Sequence, residues 1–186
     1  MLELIPQSIP DVKLLCLDRF DDPRGYFGEV FHQKQFTNLG LPKFVQDNLS
    51  RSIPFVLRGL HYQLNPKAQA KLVACLNGRI RDVAVDIRKG SPYYGKWVSV
   101  ELSYTKPQFL FIPEGFAHGF YNFGNEPAVV YYKTTNYFSK EHDRNIVWND
   151  PEINIEWKLI DERFVVSKKD AAAPLLKDAE INFQFG

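Results

Sequence analysis

The stretch Lys71-Leu72-Val73-Ala74-Cys75-Leu76-Asn77-Gly78-Arg79-Ile80-Arg81-Asp82-Val83-Ala84-Val85-Asp86-Ile87-Arg88 decides the fold class. Asn77-Gly78 between two apolar segments is the strongest short-range hairpin signature a sequence carries, so a strand is expected on each side of it, paired through the turn. Beyond the turn Val83, Val85 and Ile87 alternate with Asp82, Ala84, Asp86 and Arg88, the period of a strand. One face is aliphatic and belongs in a core. The other is charged around a small residue, and faces either solvent or the interior of a barrel. Lys71 opens an otherwise apolar strand, a placement in which lysine either snorkels or serves a site.

The same texture continues outward in both directions. Aromatic and β-branched residues are plentiful, and 12 Pro and 11 Gly are spread along the chain, as in proteins built from many short strands joined by turns. Strands are expected at residues 12–17, 26–31, 56–63, 96–103, 109–112, 119–123 and 128–135. Asp21-Asp22-Pro23-Arg24-Gly25 reads as a turn, and residues 33–39 as a short helix closed by Gly40 and Pro42. Residues 167–173 are helix-prone and stopped by Pro174. With no repeat, low-complexity tract or linker, the expectation is one domain over residues 1–186: an all-β jelly-roll barrel with few short helices.

Composition narrows the function classes. The 23 Lys and Arg balance 22 Asp and Glu, so no basic stripe awaits a polynucleotide, while a few clustered cations still suit a small anion. No apolar run approaches the ~20 residues of a membrane helix. The opening MLELIPQSIPDVK, acidic at position 3 with Pro at 6 and 10, does not read as a signal peptide. Cys16 and Cys75 lie far apart without metal-type spacing, which fits a reducing, cytoplasmic setting.

The strand 56–63, Val56-Leu57-Arg58-Gly59-Leu60-His61-Tyr62-Gln63, carries a guanidinium, an imidazole and an amide within six residues. Strict alternation puts Gly59, His61 and Gln63 on one face and Arg58, Leu60 and Tyr62 on the other. Arg58 and His61 serve one site only if the strand bends, and Gly59 is where a bulge is easiest. The four histidines (His32, His61, His118 and His142) never form a close pair on one strand, and position 63 is Gln, so no metal site is expected. A lone His with nearby cations points instead to acid–base chemistry on an anion. His118, between glycines after the Pro113 turn, is either a packed rim histidine or a second site imidazole. Tyr131 or Tyr132, facing a cavity, supplies a phenolic proton donor. Asp170 also has a bland reading, since Ser167-x-x-Asp170 resembles a capping box.

Taken together, these segments resemble one family. Asp22-Pro23-Arg24-Gly25-Tyr26-Phe27, Arg58-Gly59-Leu60-His61-Tyr62-Gln63 and Asp82-Val83-Ala84-Val85-Asp86-Ile87-Arg88 occur in its order, as do Ser91-Pro92 and Gly95-Lys96-Trp97. Ile112-Pro113-Glu114-Gly115-Phe116-Ala117-His118-Gly119-Phe120, Tyr132-Lys133-Thr134-Thr135, Trp148-Asn149-Asp150-Pro151 and Lys169-Asp170 complete the series. The chain is similar to the dTDP-4-dehydrorhamnose 3,5-epimerases, metal-free isomerases of the cupin superfamily. The resemblance implies epimerisation at C3 and C5 of dTDP-4-dehydro-6-deoxyglucose through an enolate, without a cofactor, on the way to dTDP-L-rhamnose. It implies His61 as base, oriented by Asp170, Tyr132 as acid, and Lys71 as the stabiliser of charge on O4. By the same resemblance Arg24, Phe27, Glu29, Gln46, Asp47, Asn48, Arg58, Lys71, His118, Asp143 and Lys169 contact the nucleotide sugar. Asp143 stands where the family usually carries Glu. A homodimer is implied, with the segment around Arg24 to Glu29 reaching the partner's site.

Two other readings stay open at this point. One is an epimerase acting at C3 or C5 alone, or a ketoisomerase, on a related dTDP-4-keto-sugar. The other is a non-catalytic nucleotide-sugar-binding barrel, against which an intact His61, Lys71, Tyr132 and Asp170 set argues.

Overall fold

The structure, a computed structural model, describes residues 3–159 and 164–186. In chain order the strands are β1 (Glu3–Pro6), β2 (Lys13–Cys16), β3 (Phe20–Asp22), β4 (Gly25–Phe27), β5 (Gln46–Ser52), β6 (Leu57–Gln63), β7 (Lys71–Asn77) and β8 (Arg79–Asp86). They continue with β9 (Trp97–Ser103), β10 (Gln108–Ile112), β11 (Phe116–Asn122), β12 (Ala128–Thr134) and β13 (Asp143–Asn145). Two short helices, α1 (Gln33–Asn38) and α2 (Lys168–Ala171), complete the element list that bears on the site. A six-stranded antiparallel sheet runs in the order β1-β2-β10-β7-β12-β5, and a five-stranded one in the order β13-β6-β11-β8-β9. β3 and β4 form a separate hairpin.

The mostly-β, two-sheet architecture agrees with the expectation, but the turn that signalled it does something else. β7 and β8 do not pair with each other. β7 lies between β10 and β12, and β8 between β11 and β9, so Asn77-Gly78 carries the chain from one sheet to the other. Gly78 takes the left-handed φ of +72° that the tight corner requires. The physical reason lies in burial: both strands are buried on both faces, and each gains more as the centre of its own sheet than from pairing with the other.

Three apolar layers account for that double burial. Between the sheets, Val73, Cys75, Ile80, Ala84, Leu110, Phe116, Phe120 and Val130 form the inner core. The outer face of the five-stranded sheet, with Val83, Val85 and Ile87, is covered by the C-terminal segment through Ile153, Trp157, Leu176 and Phe183. Leu15, Leu72 and Phe109 on the outer face of the six-stranded sheet are covered by Phe36, Leu41 and Phe44 around α1. Each such side chain contributes about 1.5–3 kcal/mol by leaving water. The charged face of β8 is therefore interior: Asp82 and Asp86 are fully buried.

Other boundaries shift. Strand structure after the Arg24 turn stops at Phe27, because Phe31 turns away to pack edge-on against Phe36 and Phe44. β11 begins at Phe116 and not at residue 119, which places His118 inside a fully buried strand. β5, of sequence QDNLSRS, was expected as no strand at all. No helix among the described residues is long and apolar enough to cross a membrane.

Candidate active site

The site is organised by an irregularity in β6. β6 pairs with β11 so that His61 faces His118 while Arg58 faces Phe120, a shift of one residue that falls at Gly59 and Leu60. Gly59 has a φ of +127°, and a Cβ there would lie 2.5 Å from Gly119 Cα. Only glycine fits this bulge. The extra residue reverses the alternation, so Arg58 and His61, on opposite faces of an ideal strand, line one pocket together with Lys71, His118, Phe120 and Tyr132. A contiguous lobe shares His61, Lys71 and Tyr132 and extends past Gln69, Phe138, Asp143 and Lys169. An apolar cleft elsewhere, lined by Leu17, Tyr26, Val30, Leu76 and Phe109 under the β3–β4 hairpin, contains no histidine.

His61 Nε2 meets Asp170 Oδ1 at 2.7 Å, and Gly59 N–H donates to Asp170 Oδ2 at 3.2 Å. The Ser167 cap supports this from behind: its hydroxyl accepts the Asp170 N–H, as the capping reading expects, but the Asp170 carboxylate leaves the helix for the imidazole. Burial pushes the Asp170 carboxyl up, while its bonds to His61, Gly59 and Ser167 outweigh that and hold it below the ordinary carboxylate range. With Nε2–H donating to a carboxylate, the neutral ring carries its lone pair on Nδ1. That nitrogen is free to accept a proton.

Tyr132 enters from the opposite sheet. It pairs with Asn48 on β5 and Val73 on β7, faces the inner core, and lines both lobes. Burial raises its phenol, with Arg58 opposing, so the proton stays on at neutral pH. Tyr131 points the other way, packing against Phe109 and hydrogen-bonding Asp47 at 3.1 Å. Of the two tyrosines, Tyr132 is the one that lines the pocket. Lys71 is buried and donates Nζ to the His61 carbonyl oxygen at 3.3 Å; burial lowers it to about 8, against the pull of Asp82 and Asp143.

The remaining sequence candidates divide into three groups. Arg58 is tied to Ser52 Oγ at 2.9 Å, and Lys169 pairs with Asp143 at the mouth. Gln46 and Asn48 share the face of β5 that Tyr132 shares, and are bonded to each other at 2.8 Å. Asp47, between them, points to the other side, where it pairs with Lys133 at 2.6 Å; strand alternation takes its side chain away from the pocket. Arg24, Phe27 and Glu29 are also outside this chain's pocket. Arg24 is exposed and bonded to Asp22, Phe27 is 70% exposed on the β3–β4 hairpin, and Glu29 accepts from Gln35.

Three residues are added by the structure. Asp82 Oδ1 meets His118 Nε2 at 2.7 Å inside the wall; its sequence signal was the charged face of β8. Gln63 holds the loop behind Phe138 through Ser139 N–H at 2.7 Å and the Lys67 and Tyr137 carbonyl oxygens. Phe138 itself, at the mouth, had no signal. Among the described residues no cluster of three or more His, Cys, Asp or Glu is placed to hold a metal ion.

A dyad, a phenol and a buried ammonium converging on one inter-sheet pocket agree with what similarity finds. A sequence profile described as dTDP-4-dehydrorhamnose 3,5-epimerase matches residues 6–178. The dTDP-4-dehydrorhamnose 3,5-epimerase of Shigella flexneri is 49% identical over 185 residues, covering 98% of this chain and 95% of that protein. The Salmonella typhimurium protein of the same description is 50% identical over 181 residues, covering 96% of this chain and 98% of that one. The crystal structure of dTDP-6-deoxy-D-glucose-3,5-epimerase RmlC from Legionella pneumophila, in complex with dTDP-4-keto-L-rhamnose, superposes with a TM-score of 0.92 at 44% identity, over 96% of this chain and 94% of that one. The fold is accordingly the RmlC-like cupin fold, and the chain belongs to the dTDP-4-dehydrorhamnose 3,5-epimerase family, isomerases of dTDP-rhamnose biosynthesis.

Proposed function

We propose that the chain epimerises dTDP-4-dehydro-6-deoxyglucose at C3 and C5 by proton transfer between His61 and Tyr132. The C4 ketone acidifies the hydrogens on both neighbouring carbons. His61 Nδ1 takes one of them, Asp170 holds the resulting imidazolium, and the electron pair moves onto O4 as an enolate. Lys71, buried in the pocket wall, stabilises that oxyanion with a fixed positive charge. Tyr132 returns a proton to the opposite face of the carbon, which inverts it. The observation that carries this reading is the His61–Asp170 dyad and Tyr132 approaching one pocket from two different sheets, with Lys71 between them.

Arg58, His118 and Lys169 supply cationic or donor groups to the diphosphate and sugar, with Gln46 and Asn48 beside them; two-pronged guanidinium contacts suit phosphate. Arg24, Phe27 and Glu29 act in the pocket of the second subunit of a cytoplasmic homodimer, a role supported by their exposure, Arg24 and Phe27 on the β3–β4 hairpin and Glu29 just after it. Mixing an Arg24→Ala chain with a His61→Ala chain tests that: one intact site per mixed dimer restores activity, whereas a monomer in sedimentation overturns it.

The main test is NMR of the keto-sugar incubated with the protein in D2O, followed by a reductase and NADPH to trap the product. Deuterium at both C3 and C5 with trapped dTDP-L-rhamnose is the expected result. Deuterium at one carbon only makes it a single-site epimerase, and none at either refutes the proposal.

A further inference from the structure

Once the dyad, the phenol and the mouth are assigned, two buried charges beside the pocket remain without an ion pair among the described residues. The first is Lys71, buried at the start of β7; among the described residues it forms no ion pair, and its Nζ donates to a backbone carbonyl oxygen. The second is Asp82 on β8. It is fully buried, its Oδ1 is bonded to His118 Nε2, and its Oδ2 is sealed from solvent with no hydrogen-bond partner among the described residues. An orphaned carboxylate oxygen in an apolar wall is costly, and natural proteins keep such an atom where its charge is used.

The surroundings leave few candidates for that use. Lys71 is faced by His61 and Arg58 from β6, His118 from β11, Tyr132 from β12, Asp143 from β13 and Lys169 from α2. Asp143 is paired with the Lys169 ammonium, and Asp170 with His61. Among the described residues the one side-chain partner of Asp82 is His118, which burial keeps neutral against the opposing pull of Asp82, so the imidazole does not cancel the carboxylate. Among the described residues these walls thus hold one buried anion and one buried cation without an ion pair; Arg58, also without one, is exposed and bonded to Ser52 Oγ.

We infer that Asp82 is the counter-ion of Lys71 across the inter-sheet pocket, and that one carboxylate does two jobs: Oδ1 fixes His118 as an Nε2–H tautomer, and Oδ2 is left free so that its charge acts on the ammonium. Asp82 touches no substrate; it is a positioning residue acting through Lys71 and His118. The pairing rests on the burial of both charges and on His118, which is bonded to Asp82 and lines the pocket beside Lys71, while its link to turnover rests on the epimerase reading. Asp82 and Asp143 are the two anions that oppose the burial of Lys71, with Asp82 the larger.

The experiment follows the Lys71 titration by NMR in the full chain with 13C-labelled lysine, the signal assigned by its loss in Lys71→Arg. In the unsubstituted chain the midpoint is expected near 8. In Asp82→Asn it falls by about one pH unit or more, a nearly tenfold rise in the deprotonated fraction well below the midpoint. In Asp82→Glu and His118→Gln, which keep the charge, it stays within about half a unit. An unmoved midpoint in Asp82→Asn, or an equal fall in His118→Gln, overturns the inference. Should Asp82→Asn not fold, the unsubstituted chain with 13C-labelled aspartate decides. The Asp82 carboxyl resonance must then follow the Lys71 midpoint, and a flat signal refutes the coupling. The alkaline limb of kcat for the keto-sugar is read in parallel and is expected to move with the Lys71 midpoint. A responsive titration without any turnover sinks the epimerase reading alone; turnover with an unresponsive Lys71 sinks this inference alone.

Discussion

Replacing Lys71 by Met should stabilise the protein while disabling it. Met keeps an unbranched stem of similar length and removes the charge from a site where the side chain is buried. A fall of the ammonium from its ordinary 10.5 to about 8 measures the cost of that charge in the folded state. At about 1.4 kcal/mol per pH unit this is on the order of 3 kcal/mol. Losing the Nζ bond to the His61 carbonyl oxygen gives back about 1 kcal/mol, leaving a net gain of about 2 kcal/mol. The sign follows from linkage. The unfolded chain binds the Lys71 proton more tightly than the folded one, so the penalty is complete below about pH 8 and gone above about pH 10.5. Urea unfolding at equal protein concentration should therefore show Lys71→Met ahead of the unsubstituted chain at pH 7. That lead should shrink to less than about half by pH 9.5. With Lys71 acting on O4 as proposed, turnover should drop about 10²- to 10³-fold. A variant less stable at pH 7, or a stability difference that ignores pH, would show that Lys71 is not held as a desolvated ammonium.

Tyr132→Phe should leave deuterium exchange by His61 intact while reprotonation at C5 fails; loss of exchange together with turnover, in a folded variant, places the phenol in binding instead. Asp170→Asn should lower exchange by about 10²- to 10⁴-fold, because an amide leaves the wrong imidazole nitrogen free. Since the Asp170 carboxyl sits below the ordinary range, it contributes stability above that range that is lost as pH falls through it, and acid unfolding of the Asn variant should be correspondingly less steep. Gly59→Ala should destabilise by more than about 3 kcal/mol in thermal unfolding, since its Cβ would lie 2.5 Å from Gly119 Cα and 2.9 Å from the His118 carbonyl oxygen. A loss under about 1 kcal/mol would mean the bulge has room to relax.

Much of the site was legible because its residues break local rules. A lysine at the head of an apolar strand, and an imidazole and guanidinium beside a glycine on another, contradict the pattern of a purely structural sheet, and such conflicts concentrate at functional positions. β5 shows the opposite case. Gln46, Asn48, Ser50 and Ser52 point inward and Asp47, Leu49 and Arg51 outward, an alternation without an apolar face, so the strand reads as loop. Its inner face carries polar groups because it borders the pocket, and the residues that make it useful erase its hydrophobic signal.

The sequence by itself determined the all-β class, the short helices closed at Gly40 and capped by Ser167, and the requirement for a glycine where Arg58 and His61 must share a face. These depend on residues within a few positions of one another, where propensity, alternation and turn chemistry act directly. The tertiary structure alone decided that Asn77-Gly78 joins two sheets and closes no hairpin, that Tyr132 and not Tyr131 faces His61, and that Asp47 turns away. It alone decided that Asp82 is sealed behind His118. Each of these depends on which strand lies alongside and which layer covers the outer face, energies set by partners tens of residues away that no local period encodes.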